Sequence, residues 1–187
     1  MDHRTLVERA REGDHEAFTT LAGEAISRLD AAARLTLRDS ELARDAVQDA
    51  LVRAWRDLPG LRDPERFDAW LYRLTINACL DLARRRRRRS IEVELTSVAA
   101  PIVVDIARDV ADRQLLDDAM RHLSAEGRAI VVLHYYLGMP ISDVAVALGI
   151  PSGTAKSRLS RALERMRLTI EGAEPSARDP FPGGQFA

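Results

Sequence analysis

Apolar residues recur along most of this chain every three or four positions, the period of amphipathic helices. Leu6, Val7 and Ala10 begin a short helix that Gly13-Asp14 punctuates. Asp14 can cap a second helix carrying Ala17, Phe18, Leu21, Ala22 and Ala25 on one side, with helical sequence continuing through Ile26, Leu29 and Leu35. Most of that face is expected in the core. Asp39 or Ser40 can cap the next helix, over residues 40–58, whose apolar stripe is Leu42, Ala43, Ala46, Val47, Ala50, Leu51 and Ala54. Leu58-Pro59-Gly60 ends it, and Pro64 suits the first position of another. That long helix spans residues 65–89, with Phe67, Trp70, Leu71, Leu74, Ala78 and Leu82 inward.

The period is then lost. Residues 90–109 gain β-branched and acidic residues, among them Glu92, Glu94, Asp105 and Asp109, and read as a linker. Helices resume near Val110. Leu115, Leu116, Ala119 and Leu123 mark one; Ser124 can cap the next, marked by Ile130, Val131, Leu133, His134 and Leu137. Residues 172–187, rich in Pro, Gly and small residues, predict a disordered tail. The expected fold is all-α: two small helical domains, over residues 1–89 and 110–171, joined by the linker, the second carrying a helix-turn-helix.

Residues 139–168 carry that motif. Ile141, Val144, Ala145 and Leu148 share one face, Gly149 supplies a left-handed stop, and Pro151 prevents continuation. Ser152 is placed to cap the second helix. There Ala155, Leu159, Ala162, Leu163 and Met166 face inward, while Thr154, Lys156, Ser157, Arg158 and Arg161 face out, with Arg165 beside them. Arginine can fork onto guanine edges, lysine neutralises phosphate, and hydroxyls bond either. Gly153 and Thr154 are small enough for backbone to approach a sugar-phosphate wall. DNA binding is favoured over an ordinary amphipathic hairpin with a solvated charged face.

Composition narrows the picture. The chain has 187 residues, 46% hydrophobic, 30% charged and only 5% aromatic, which suits packed helices with a charged surface. A net charge of -1 excludes a generic polycation, so local clusters decide nucleic-acid contact. One cluster is Arg84 to Arg89. A helix C-terminus accounts for one or two cations; six in a row favour phosphate, each contact steepening the salt dependence by roughly 0.9. The single cysteine, Cys79, excludes an internal disulfide and a cysteine zinc site, and suits a reducing cytosol. No signal-peptide core or membrane-spanning apolar run is present, so a cytoplasmic protein is expected.

Candidate chemistry is sparse. The histidines are scattered, with His134 reading as a partly buried helix residue, and there is no phosphate loop, nucleophile elbow or His-Glu-x-x-His. No catalytic residue, metal ligand, cofactor or small-molecule substrate is expected. Asp45, Gln48 and Asp49 project together from their helix; by periodicity alone a solvated acidic face explains them. Arg73, Asn77, Asp81 and Arg84 follow at i+4, i+4 and i+3 on the outer side of the long helix.

Two segments together resemble bacterial sigma factors of the extracytoplasmic-function (ECF) group. Asp45-Ala-Val-Gln-Asp-Ala-Leu-Val-Arg-Ala-Trp55 is similar to the core-binding helix of region two, and Phe67 to Arg85 to the promoter-melting helix that follows. Residues 110–168 resemble region four. The resemblance covers roughly residues 5–170 and implies a non-enzymatic specificity subunit of RNA polymerase. It implies that Asp45, Gln48 and Asp49 face core polymerase. Asn77, Asp81 and the loop 59–66 would open and read the minus-ten element, with Arg73, Arg84 and Arg85 on phosphates. Thr154, Lys156, Ser157, Arg158 and Arg161 would read the minus-thirty-five element. An anti-sigma partner is implied as well. Three departures stand out: Ile76 where the family often has a polar residue, which removes one DNA contact; a longer arginine run; and the tail. Two other classes stay open, an operator-binding helix-turn-helix regulator and a protein-interaction module.

Overall fold

The computed structural model describes residues 2–92 and 110–172, and side chains through Arg89 and from Gln114. Eight α-helices are described: α1 (His3–Arg11), α2 (His15–Leu37), α3 (Ser40–Asp57), α4 (Phe67–Glu92), α5 (Val110–Arg121), α6 (Ala125–Val131), α7 (Ile141–Leu148) and α8 (Ser152–Ile170). No strand occurs among the described residues. The all-α expectation therefore holds. The body of the predicted linker and almost all of the predicted tail lie outside the described residues.

The caps show why the elements start where they do. Asp14 accepts from the backbone N–H of Glu16 and Ala17, and Asp39, rather than Ser40, accepts from Glu41 and Leu42. Ser124 accepts from the Gly127 N–H. The long helix starts later than its pattern suggested: Asp63 caps a single 3₁₀ turn, Pro64–Arg66, and α4 follows, running on to Glu92. The helix marked by His134 is α6 and a π-type turn, Val132–Tyr136; the His134 ring bonds the Met139 carbonyl at 2.8 Å.

The first half packs α4 against α2 and α3, with α1 across α2. Phe67, Leu71, Ile76, Leu21, Leu29 and Leu58 are fully buried there. In the second half α8 lies across α5, α6 and α7 around Ile130, Leu133 and Val144. Ile26, expected in the core, is 46% exposed. It instead lines a surface groove between α2 and α3.

The halves meet along a seam where α2 and α4 touch α6 and its π turn, and α4 touches α7. Arg38, in the left-handed backbone region (φ 55°) at the end of α2, sends Nη1 and Nη2 to the Asp117 carboxylate at 2.6 and 3.0 Å, and Nη1 also to the Asp117 carbonyl. Arg128 Nε donates to the Thr36 carbonyl at 2.6 Å and Nη1 to the Leu123 carbonyl at 2.5 Å. The Thr36 carbonyl lies in the last turn of α2, where a helix leaves carbonyls unpaired, and Arg128 supplies its donor. Arg66 pairs with Asp143 at 2.6 Å on the exposed rim. Tyr72 accepts from Arg28 and lies near Tyr136, so the Tyr72 side of α4 faces the second half. Ile76 and Leu80 follow on that side at i+4 and i+8, and both are buried.

Candidate nucleic-acid interface

Gly149 ends α7 with φ 65°, and Ile150 N–H returns to the Ala145 carbonyl, the expected left-handed stop. The expected cap by Ser152 does not form. Pro151 already holds the extended backbone of the cap position (φ -59°, ψ 145°), so Ser152 becomes the first helical residue and makes no side-chain cap bond. Ala155, Leu159, Ala162 and Met166 are buried. Lys156, Ser157 and Arg161 are exposed, and Thr154 and Arg158 are half-buried. Ser157 Oγ donates to the Thr154 carbonyl at 3.0 Å, and Arg161 Nε to the Ser157 carbonyl at 3.1 Å. Arg161 is thus folded back along the helix and must swing out to reach a base edge.

On α4 the outward stripe is narrow. Arg73 and Asn77 are half-buried, while Asp81 and Arg84 show 40% and 39% of their side chains. Arg84 Nη2 lies 3.2 Å from Asp81 and its Nε donates to the Leu80 carbonyl. Arg85 is exposed. Arg53 of α3 stands between Asp49, at 2.7 Å, and Asp81, at 3.8 Å. Charges therefore alternate from Asp49 through Arg53 and Asp81 to Arg84. Pairs this exposed contribute little stability each, at most about 1 kcal/mol.

Asp45, Gln48 and Asp49 are all exposed on α3, as their spacing requires. Beside Gln48 opens the groove between α2 and α3, about 720 Å³, lined by Phe18, Ile26, Leu51, Val52 and Trp55. Val52 is 61% exposed, and His15 stacks on Trp55 with ring centroids 4.2 Å apart. Sequence reasoning did not single out this apolar floor. Its one local signal is Val52, apolar at i+4 from Gln48 and off the core stripe.

The structure links Asp49 of α3 to Asp81 and Arg84 of α4 through Arg53, whereas Gln48 lines the groove between α2 and α3. Thr154 to Arg161 sit apart on α8, whose main neighbours are α5, α6 and α7. Among the described residues no three metal-binding side chains converge, and no helix is long and apolar enough to cross a membrane. Cys79 is fully buried, and burial pushes its thiol up to about 12, so it stays protonated at neutral pH.

Residues 21–89 match the family described as Sigma-70 region 2, and residues 113–166 match Sigma-70, region 4. The ECF RNA polymerase sigma factor SigL of Mycobacterium tuberculosis is 37% identical over 143 residues, covering 75% of this chain and 80% of that one. The RNA polymerase sigma-E factor of Streptomyces avermitilis is 36% identical over 146 residues, 78% of this chain and 80% of that one. Two solved structures are similar. RpoE from Bartonella quintana, in complex with the anti-sigma factor NepR, gives a TM-score of 0.71 at 25% identity over 86% of this chain and 98% of that one. CnrH, in complex with the cytosolic domain of CnrY, gives 0.65 at 27% identity over 92% and 99%.

Proposed function

The chain belongs to the ECF group of RNA polymerase sigma factors, and from that premise we infer how its residues share the work of starting transcription. It is a non-enzymatic initiation factor that acts with core RNA polymerase and promoter DNA. We assign residues 1–89 to the region-two unit, 90–109 to a linker, 110–171 to the region-four unit and 172–187 to a tail. Asp45, Gln48 and Asp49 of α3 dock on core polymerase. Asn77 and Asp81 of α4, with the loop 59–66, open and read the minus-ten element, and Arg73, Arg84 and Arg85 hold its phosphates. A base drawn from the stack costs a few kcal/mol, which a narrow polar stripe on a rigid helix can offset only when polymerase holds the DNA in place. Thr154, Lys156, Ser157, Arg158 and Arg161 of α8 read the minus-thirty-five element as duplex.

One observation carries this division: α4 presents a narrow polar stripe on a helix otherwise largely buried, and α8 buries the line Ala155, Leu159, Ala162 and Met166 and turns Lys156, Ser157 and Arg161 outward. Two modest DNA sites on one chain raise each other's effective concentration, so each can be weak alone. An anti-sigma partner fits the same reading, since the similar RpoE of Bartonella quintana is in complex with the anti-sigma factor NepR. We place the protein in the cytoplasm, with the polymerase it serves.

The test is promoter-specific transcription by core polymerase, with and without the full chain, comparing wild type with Asp45→Arg/Gln48→Ala. Initiation that depends on the chain, reduced at least tenfold in the variant, supports docking through α3. Equal initiation by both would remove α3 from the interface. No initiation, together with tight DNA binding by the chain alone, would make it an operator-binding regulator instead.

A further inference from the structure

Arg53 sits on α3 one turn beyond Asp49, on the flank that faces α4. Its Nη2 lies 2.7 Å from Asp49 Oδ2, a full hydrogen-bond distance, with the acid N-terminal to the base as a helix favours. Its Nη1 lies 3.8 Å from Asp81 Oδ2 on α4, an ion pair about 1 Å beyond hydrogen-bond length. Asp81 turns its other oxygen, Oδ1, to Arg84 Nη2 at 3.2 Å. Arg84 is itself tethered, its Nε donating to the Leu80 carbonyl. One guanidinium therefore stands between a carboxylate of α3 and a carboxylate of the polar stripe on α4, and the nearer one holds it.

A guanidinium suits this position. Its planar fork can serve two carboxylates at once, where an ammonium acts as a point charge. The side chains of Arg53, Asp49 and Asp81 are 33%, 48% and 40% exposed, so each pair is weak and readily exchanged. On the sigma-factor reading, on which this rests, core polymerase engages Asp49. A polymerase donor on Asp49 takes away Arg53's closer partner, and a shift of about 1 Å then brings Nη1 into hydrogen-bond range of Asp81.

We infer that Arg53 is a positioning residue that passes docking at α3 to the promoter stripe of α4: once polymerase takes Asp49, Arg53 closes on Asp81 and fixes the carboxylate that works on the minus-ten element. Held at Oδ2, Asp81 keeps one orientation, with Oδ1 left to Arg84 or to a base amine, the group from which a carboxylate can accept. Arg53 itself touches neither polymerase nor DNA, so docking does not depend on it.

Holoenzyme is assembled from core polymerase and the full chain, and a promoter is selected from random DNA with the wild type. The affinity of the chain for core polymerase is measured without DNA. The rate of minus-ten opening is measured with core polymerase saturated, by a fluorescent base placed in that element. Arg53→Gln is expected to bind core polymerase within about twofold of wild type, which also shows that it folds, and to open the promoter about fivefold more slowly, the factor an exposed pair can supply. Beside Asp81→Asn, Arg53→Gln is expected to add nothing, because the two side chains act as one unit. Asp49→Asn separates a relay from a fixed brace. It weakens docking, yet at saturation it opens at the wild-type rate, because Arg53 is already free to close on Asp81. If Asp49→Asn opens as slowly as Arg53→Gln, Arg53 is a static brace and the relay falls. An unchanged opening rate in Arg53→Gln overturns it, as does a loss that persists beside Asp81→Asn, which would put Arg53 on DNA. Weaker core binding by Arg53→Gln overturns it too, by making Arg53 a docking residue. If the wild type selects no promoter at all, the sigma-factor reading falls, and the relay with it.

Discussion

At the end of α2 two arginines crowd together: the Asp117 carboxylate serves Arg38, while Arg128 donates to the Thr36 and Leu123 carbonyls. Burial, and then the neighbouring Arg38, push Arg128 down to about 10, where it is still a cation at neutral pH. Arg38 in turn holds the Asp117 carboxyl below its usual range. A carboxylate whose folded value is depressed adds stability that is complete above the unfolded value, near 3.9, and that fades as pH falls through the lower folded one. The seam should therefore be insensitive to pH between about 5 and 8 and weaken only in strong acid. Asp117→Ala strands Arg38, whose side chain is 7% exposed, without its counter-charge. We expect a loss of about 2 kcal/mol at pH 7 by urea denaturation, below the range for fully buried pairs because water reaches Asp117. Below the unfolded carboxylate value the difference from wild type should shrink, as Asp117 takes up its proton first in the unfolded chain and then, at lower pH, in the folded one.

Among the elements, α4 is the one whose sequence pattern says least about its surroundings. Of the inward line read from the period, Phe67, Leu71 and Ala78 are buried, and Trp70, Leu74 and Leu82 are partly buried. Yet Tyr72, Thr75, Ile76, Cys79 and Leu80 are buried as well. A helix clasped on two sides merges its apolar stripes, and periodicity then blurs. What stays legible is the narrow gap, Arg73, Asn77, Asp81 and Arg84, because polar residues repeat there at helical spacing. Ile76 shows the difference. It reads as a lost DNA contact, but in the fold it is fully buried on the seam side. Ile76→Ala should cost about 2–4 kcal/mol in unfolding experiments, a core penalty that a lost DNA contact would not produce. The caps at Asp14, Asp39 and Ser124 were readable because each is a local bond within three residues. Arg53 between Asp49 and Asp81, and the groove from Ile26 to Val52, join residues distant in the chain, which no local pattern encodes. Ser152 misled for a narrower reason: the proline before it had already taken the cap geometry.

For the whole molecule, the seam decides whether the halves behave as one body. Units joined by a linker move independently unless their interface is substantial. Here apolar contact around Tyr72 and Ile76 is framed by Arg38 and Arg128, and it packs the back of α4 while the outward stripe stays open. Calorimetry of the wild type should show one cooperative transition. Arg128→Ala, which strips the Thr36 and Leu123 carbonyls of their donor, should split it into two. Arg128 also bears on exchanging halves between relatives. It grips peptide carbonyls rather than side chains, so it asks only that the incoming half end a helix at the same place, whatever residues that helix carries. Asp117 asks for a guanidinium at one position. A hybrid built from two such chains would keep the Arg128 contact automatically, and an arginine at the position of Arg38 would restore the partner of Asp117.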